Sequence, residues 1–538
     1  MLKKVVSILF VFFWFIPNYS WAQDKEIAFD YTKNLEIYGN LIKTLKMSYI
    51  DSLDFSKLNK TAIDALLAEL DPYTVFIPQS EKENFEYIRT GEYGGVGVSV
   101  AKNKHDNVYI SNLMPGQPAE KAGLLIGDKI LKIDGRDTKD MTNDDLAAIF
   151  KGIPEQPFRL TVERFGESGT KEYLLTRQKI KVQNIAFSAL LDHSIGYISL
   201  RLFAANSAND FLNAFLDLKA QNIKGLIIDL RGNGGGLIIE AVHCLNAFMP
   251  RGIEVVKTKS RVERNDYTYR TQRPPIDIAI PLVFLVDELS ASAAEIMAGA
   301  AQDFDRGILI GQNTYGKGLV QNVVPLNYDT QLKLTIGRYI LPSGRKIQKL
   351  PDSPSTPFKT LGGRVVYEGN GLTPDILMPA KIHDPVIKDQ LERLFVLQFV
   401  NEYMSENKNI KLDDSFEVGE SILKAYNLFL VEKNYIFISP LEEKLMALRQ
   451  QIEKENGTKE LVNLLKQAEK MQNTSVRNTD LQALNELKLL LRAEFLSRKF
   501  YREGAEKRNL NRDAEVLKAV DVLSHLPSYQ ALLKPLNR

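Results

Sequence analysis

Between residues 195 and 311, short and almost uninterrupted apolar runs alternate with helical stretches, and this pattern limits the architecture more than any other feature of the chain. The runs are 195–200, 224–230, 281–286 and 307–311; the helical stretches are 206–220, 236–249 and 292–304. Strands apolar on both sides must be covered on both faces, which calls for a largely parallel sheet buried between helices. Leu372-Thr373-Pro374-Asp375-Ile376 reads as the close of this α/β domain, and 351–360, rich in proline and serine, reads as a loop or insertion. The chain is 538 residues long, which leaves room for about three to four domains.

The flanking segments have other textures. Residues 23–90 read as a helical N-terminal region with two amphipathic stripes, Leu35, Tyr38, Leu41, Ile42 and Leu45, then Ile63, Leu66, Leu67 and Leu70, expected to pack as structural core. Asp71-Pro72 is expected to end the second helix. Residues 91–177 show β-like runs punctuated by glycine, at 96–100, 108–110, 129–133 and 158–162. Helices are expected at 118–122 and 143–150, the second capped by Thr142 or Asn143. Residues 178–384 hold the α/β core. From 385 to 538 the chain turns helical and charged and carries no recognisable motif.

Composition removes several classes of function. With 44% hydrophobic residues the chain is not disordered, and 69 Lys+Arg against 67 Asp+Glu leave +2, too little for a broad nucleic-acid surface. A single cysteine, Cys244, excludes an internal disulfide framework, and five scattered histidines offer no metal site. No metal, cofactor or nucleic acid is expected. At the N-terminus, Lys3-Lys4, the apolar run 5–16, Pro17 and Ser20-Trp21-Ala22 have the layout of an export signal over residues 1–22, cut between Ala22 and Gln23. The alternative is an uncleaved anchor. A helix of that run rises only about 18 Å, short of a ~30 Å hydrocarbon core. The mature chain is expected to be exported, and periplasmic if the source is Gram-negative.

One cluster concentrates the chemistry. In Leu285-Val286-Asp287-Glu288-Leu289-Ser290-Ala291-Ser292-Ala293-Ala294-Glu295-Ile296 an apolar strand enters a turn of small residues and a helix starts at once. Such a corner exposes a hydroxyl and aims helix N–H groups at one point, where they can stabilise an oxyanion. It would equally suit a simple helix cap. No histidine lies nearby to activate the serine. Lys317, between Gly316 and Gly318 and near apolar 308–310 and 319–320, is the candidate base, because burial there would disfavour the ammonium form. An exposed loop charge is the bland alternative. A second turn, Asp229-Leu230-Arg231-Gly232-Asn233-Gly234-Gly235-Gly236, also follows a strand and could supply an oxyanion donor. It lacks the lysine and hydroxyl of a phosphate-binding P-loop.

The stretch 118–135 closely resembles a PDZ domain, and Tyr93-Gly94-Gly95-Val96-Gly97-Val98 resembles that family's carboxylate-binding loop. Gly95, Val96 and Gly97 are thus the expected peptide-binding residues, with the peptide adding as a strand to an open edge. Together with Leu70-Asp71-Pro72-Tyr73-Thr74, Asp229–Gly236, the Ser292 turn, Thr314-Tyr315-Gly316-Lys317-Gly318 and Thr373-Pro374-Asp375, this resembles the carboxy-terminal processing peptidases of the Ser-Lys dyad class. The resemblance spans roughly residues 30–380. It implies Ser292 as nucleophile, Lys317 as general base, Gln321 as orienter of the lysine, and an oxyanion hole from Ala293 with Gly235 or Gly236. The family often has a serine at the position of Ala294, after the nucleophile, so the difference leaves the dyad intact.

The implied fold is multidomain α/β: a crotonase/Clp-peptidase-like catalytic core, an inserted or preceding PDZ β-domain, and helical N- and C-terminal regions. The implied partners are protein or peptide substrates with apolar C-termini. Residues 385–538 are expected to be a scaffold, an oligomerisation element or an adaptor surface. Two other readings stay open at this level: a catalytically silent PDZ scaffold, and a crotonase-like acyl-thioester enzyme.

Overall fold

A computed structural model describes residues 18–79, 87–349, 355–379, 384–455, 458–475 and 481–535. The apolar run 5–16 of the expected export signal lies outside them. Helix α1 (Asn18–Ser48) runs through the Ala22–Gln23 junction, and α2 (Phe55–Ala68) is capped by Asp54, whose carboxylate accepts the Lys57 N–H at 3.0 Å. The second helix ends at Ala68, ahead of Asp71. The Asp71 carboxylate instead folds the following turn, accepting the N–H groups of Tyr73 and Thr74 at 2.8 and 2.9 Å. The expected stripes are mostly not buried: Leu35, Tyr38, Leu41, Leu66 and Leu70 are exposed, and of those named only Leu67 is buried. Within this N-terminal unit, residues 18–76, two helices have too little surface to enclose an apolar stripe.

The second unit begins at Ile77. Its β-domain contains β1 (Glu92–Gly95), β2 (Val98–Lys102), β3 (Val108–Leu113), the short helix α3 (Pro118–Lys121), β4 (Lys129–Ile133), α4 (Asn143–Phe150), β5 (Pro157–Glu163), β6 (Thr170–Thr176) and β7 (Gln178–Lys181). Strands β2-β3-β4-β5-β6 form an antiparallel sheet in that order, so β2 is an edge, and β1 pairs separately with β7. Thr142 caps α4 in a reciprocal box with Asp145, the two backbone N–H groups being held at 2.8 and 3.1 Å.

The core follows: β8 (Ile185–Leu191), β9 (Ile195–Leu200), α5 (Ser207–Lys219), β10 (Gly225–Asp229), α6 (Ile238–Leu245), β11 (Glu254–Ser260), β12 (Tyr267–Arg270), β13 (Leu282–Val286), α7 (Ala293–Asp303), β14 (Ile308–Gly311), β15 (Leu319–Pro325), β16 (Gln331–Ile340) and β17 (Ile376–Leu377). The main sheet has the order β8-β9-β10-β13-β14-β17, parallel except for β8. A second, antiparallel layer runs β15-β16-β11-β12. The segment 351–360, expected as a loop or insertion, contains a strand. Thr356–Lys359 pairs with Val365–Glu368, and Val366 at the centre of that ribbon is buried.

The helices α8 (Pro385–Glu392), α9 (Phe395–Glu406), α10 (Glu420–Glu432), α11 (Pro440–Lys454), α12 (Lys459–Ser475) and α13 (Leu481–Asn509) follow, and Phe395, Phe399, Tyr426 and Phe495 sit in their core. Helix α13 breaks at Tyr501, whose φ is +56° and whose hydroxyl bonds Glu120 of the β-domain at 2.7 Å. The last helices, α14 (Ala514–Ser524) and α15 (Leu526–Leu532), complete the core. One sheet face (Ile198, Ile228, Phe284) packs on α5, α6 and α7. The other (Tyr197, Ile227, Val283, Leu285) packs on Val516, Ala519, Val522, Leu523 and Tyr529. The near-continuous apolar strands are thereby covered on both sides. Among the described residues no helix is long and apolar enough to cross a membrane.

Candidate active site

Strand β13 is buried throughout and ends in the turn that carries Ser292, at the mouth of α7. Ser292 holds φ +56° and ψ −114°, a conformation that costs a non-glycine residue about 1–3 kcal/mol and persists only when the surroundings impose it. They do. The Ser290 hydroxyl donates to the Leu230 carbonyl at 2.8 Å, and the Ala291 N–H donates to the Asn233 carbonyl at 2.9 Å. The Ser292 hydroxyl lies beside the Tyr339 phenol, whose pKa burial holds well above its usual value while the serine contact opposes the shift.

Glu295 ties this corner to the loop bearing Lys317. It is fully buried, and its Oε2 accepts the N–H of Ser292 at 2.8 Å and the N–H of Lys317 at 2.9 Å. Its Oε1 accepts the Gly316 N–H at 2.8 Å and the Thr314 hydroxyl at 2.5 Å, while Thr314 in turn accepts the Leu372 N–H at 2.7 Å. One oxygen atom thus holds the backbones of both residues of the expected dyad. Burial pushes the Glu295 pKa from 4.5 up to about 7, against the pull of these hydrogen bonds. Lys317 is half-buried. Gln321 faces Thr335 across the β15–β16 ladder and donates to its hydroxyl at 3.4 Å. On the same strand as Thr335, burial lowers the Lys333 pKa.

The glycine loop lies against the serine. A Cβ on Gly235 would stand 2.8 Å from the Ser292 Cβ and 3.0 Å from the Ala293 nitrogen, so only glycine fits. The Gly235 N–H is donated to the Asn233 side chain at 2.9 Å, and its carbonyl accepts from Phe203 at 3.0 Å. Of the two glycines expected to serve an oxyanion, Gly236 is the one whose N–H donates to no other described residue. The same holds for the Ala293 N–H at the start of α7.

In the β-domain, Gly95 ends β1 opposite Gln178 and also bridges Lys151. Val96 is buried and its carbonyl accepts the Ala119 N–H at 2.9 Å; the Gly97 carbonyl accepts the Met114 N–H at 2.8 Å, with φ +74°. This loop leads straight into the edge strand β2, against which α4 packs.

Sequence reasoning assigned no role to Glu295 or Tyr339. Glu295 was visible as the fourth position of a Ser-x-x-Glu capping box. Tyr339, 47 positions beyond the serine, is brought in only by the pairing of β16, whose Tyr339 N–H reaches the Gly318 carbonyl at 2.9 Å.

Comparison with known proteins matches three stretches of the chain to protein families. A model of peptidase family S41 matches residues 194–355, a PDZ-domain model matches 87–163, and one described as the C-terminal helical domain of probable PDZ-proteases matches 387–523. The chain is 31% identical over 350 residues to the carboxy-terminal-processing protease of Bartonella bacilliformis, covering 64% of this chain and 75% of that one. It is 35% identical over 297 residues to the carboxyl-terminal-processing protease of Synechocystis sp., covering 54% and 68%. Among solved structures, a photosystem II D1 C-terminal processing protease is 29% identical, with 64% of this chain and 87% of that one covered and a TM-score of 0.37. Fold and matches together define a serine-type peptidase with a PDZ domain. Within that class the chain belongs to peptidase family S41, the carboxy-terminal-processing proteases. The multidomain α/β architecture implied by the sequence resemblance is the one it adopts.

Proposed function

We propose that this peptidase works with a Ser292–Lys317 dyad on proteins and peptides whose apolar C-termini dock on the PDZ domain, and that it does so after export. The observation that carries the reading is the single Glu295 oxygen accepting the N–H groups of both Ser292 and Lys317. Lys317 takes the Ser292 hydroxyl proton as the oxygen attacks the scissile carbonyl, and the N–H groups of Ala293 and Gly236 receive the developing oxyanion. Collapse expels the amine, which takes the proton from Lys317. Water then adds to the acyl-serine by the same exchange in reverse, releasing the acid and restoring the hydroxyl. Gln321 keeps the lysine oriented from β15.

Docking is supported by the open edge of β2 and by the loop at Gly95, Val96 and Gly97, beside which Lys151 adds a positive charge. Self-association or adaptor binding falls to the C-terminal helices. Export is supported by the layout of residues 1–22 and is tested by N-terminal sequencing of protein made in a Gram-negative host, where a start at Gln23 is expected and one at Met1 would contradict it. The dyad is tested by turnover of an apolar-tailed substrate: Ser292→Ala and Lys317→Ala should each abolish it, and the double variant should match either single one. Activity above a trace in Ser292→Ala would remove that residue from its role.

A further inference from the structure

The loop that carries the Gly236 N–H has little stiffness of its own. Gly232, Gly235 and Gly236 hold φ values of +69°, +99° and +135°, and glycine has the widest choice of alternatives to such conformations. Inside the loop the Asn233 side chain takes the Gly235 N–H, and the remaining restraint comes from groups outside it. Asp287 takes the Gly232 N–H at 3.0 Å, and Ser290 and Ala291 bind the Leu230 and Asn233 carbonyls.

Arg231 links the loop to the C-terminal region. Its Nη1 donates to Asp513 Oδ2 at 2.9 Å and to Glu515 Oε2 at 2.5 Å, while its Nε and Nη2 grip Asp229 at 3.0 and 2.6 Å. Asp513 has a second duty: its other oxygen caps α14, accepting the N–H groups of Glu515 and Val516 at 3.0 and 3.3 Å. The two carboxylates therefore stand on a helix end that is itself packed on the sheet through Val516, Val522 and Leu523. Side-chain exposure is 15% for Arg231 and 4% for Glu515, so this is not a solvated surface pair. Removing the two C-terminal carboxylates would leave Arg231 paired with Asp229 but would untie it from the helix end that fixes its position.

We propose that Arg231, Asp513 and Glu515 are positioning residues for peptide cleavage: the C-terminal region holds the glycine loop, and with it the Gly236 N–H, where a developing oxyanion needs a donor. This rests on the reading of Gly236 as an oxyanion donor. It also gives the last part of the C-terminal region a place in the reaction, apart from any role in assembly.

The test uses the full chain carrying Asp513→Asn with Glu515→Gln. It compares kcat and KM on a peptide with the affinity for a peptide boronate, whose tetrahedral adduct on a serine oxygen presents an oxygen to the same N–H groups. A displaced donor should lower kcat and boronate affinity in parallel, by about ten- to a hundredfold, with KM and tail-peptide binding within twofold of the parent. Lys518→Gln, on an exposed ion pair of α14, should change neither. Should the double variant fail to fold, Glu515→Gln alone, read in the same way, decides. Kcat and boronate affinity both within twofold of the parent would overturn the proposal, as would a fall in kcat with boronate affinity unchanged. Absence of boronate binding by the parent would overturn the serine-peptidase reading of the site and this proposal with it.

Discussion

Replacing Glu295 by Gln removes one oxygen from a group that receives four hydrogen bonds, two on each oxygen. Gln keeps one acceptor and turns an NH2 toward two donors, which then lack partners at about 1–3 kcal/mol each. Set against this, the variant has no buried carboxylate to ionise. Burial raises the Glu295 pKa from 4.5 to about 7, so the folded parent binds a proton more readily than the unfolded chain in that window. This contribution to stability is fully present below pH 4.5 and is lost as the pH rises through 7.

Between pH 5 and pH 8 the parent should therefore lose about 2–3 kcal/mol relative to Glu295→Gln. The assay is urea unfolding of both proteins at the two pH values, followed by far-UV circular dichroism, since the two tryptophans, Trp14 and Trp21, lie far from the site in sequence. Peptidase activity should fall by roughly a hundredfold in the variant even where the stabilities agree, because the clamp sets the distance between the two loops. A stability difference independent of pH would refute the burial argument. Near-parental activity in the variant would refute the clamp.

Three further outcomes follow from the packing and the site. Leu523→Ala, on the helix that covers β10 and β13, should cost about 2–5 kcal/mol in urea unfolding, and a cost below 1 kcal/mol would mean that α14 is no part of the core. Gly235→Ala places a methyl 2.8 Å from the Ser292 Cβ at a φ of +99°, so it should abolish turnover while tail-peptide affinity stays parental; an active variant would contradict the close approach. Amidating the C-terminus of an apolar-tailed peptide should weaken its binding to the Ser292→Ala protein by roughly ten- to a hundredfold in a calorimetric titration, and equal affinities would show that the PDZ domain reads something other than the chain end.

How far the sequence could be read depended on whether a feature is local. The strands of the main sheet were legible because they are apolar on both sides, and the Thr142 cap because its partner lies three residues on. The same apolarity implied a second covering layer, yet the helices found within residues 178–384 supply only one. The other is α14 and α15, more than two hundred residues beyond the end of β13, where a charged helix shows no sign of its destination. The N-terminal stripes misled in the opposite sense, since periodicity states which face is apolar and not whether anything covers it. Ser292 and Lys317 were singled out from local motifs, whereas the Tyr339 contact and the Arg231–Glu515 pair join residues that only the folded chain brings together.

The central claim, that Ser292 is a nucleophile activated by Lys317, is tested most directly by covalent mapping. The full chain is treated with a serine-reactive fluorophosphonate, digested, and the adduct located by mass spectrometry. One adduct is expected on the peptide containing Ser292, and its loss in Lys317→Ala despite an unaltered unfolding midpoint. An adduct on another serine, or equal labelling of Ser292 in Lys317→Ala, would contradict that claim.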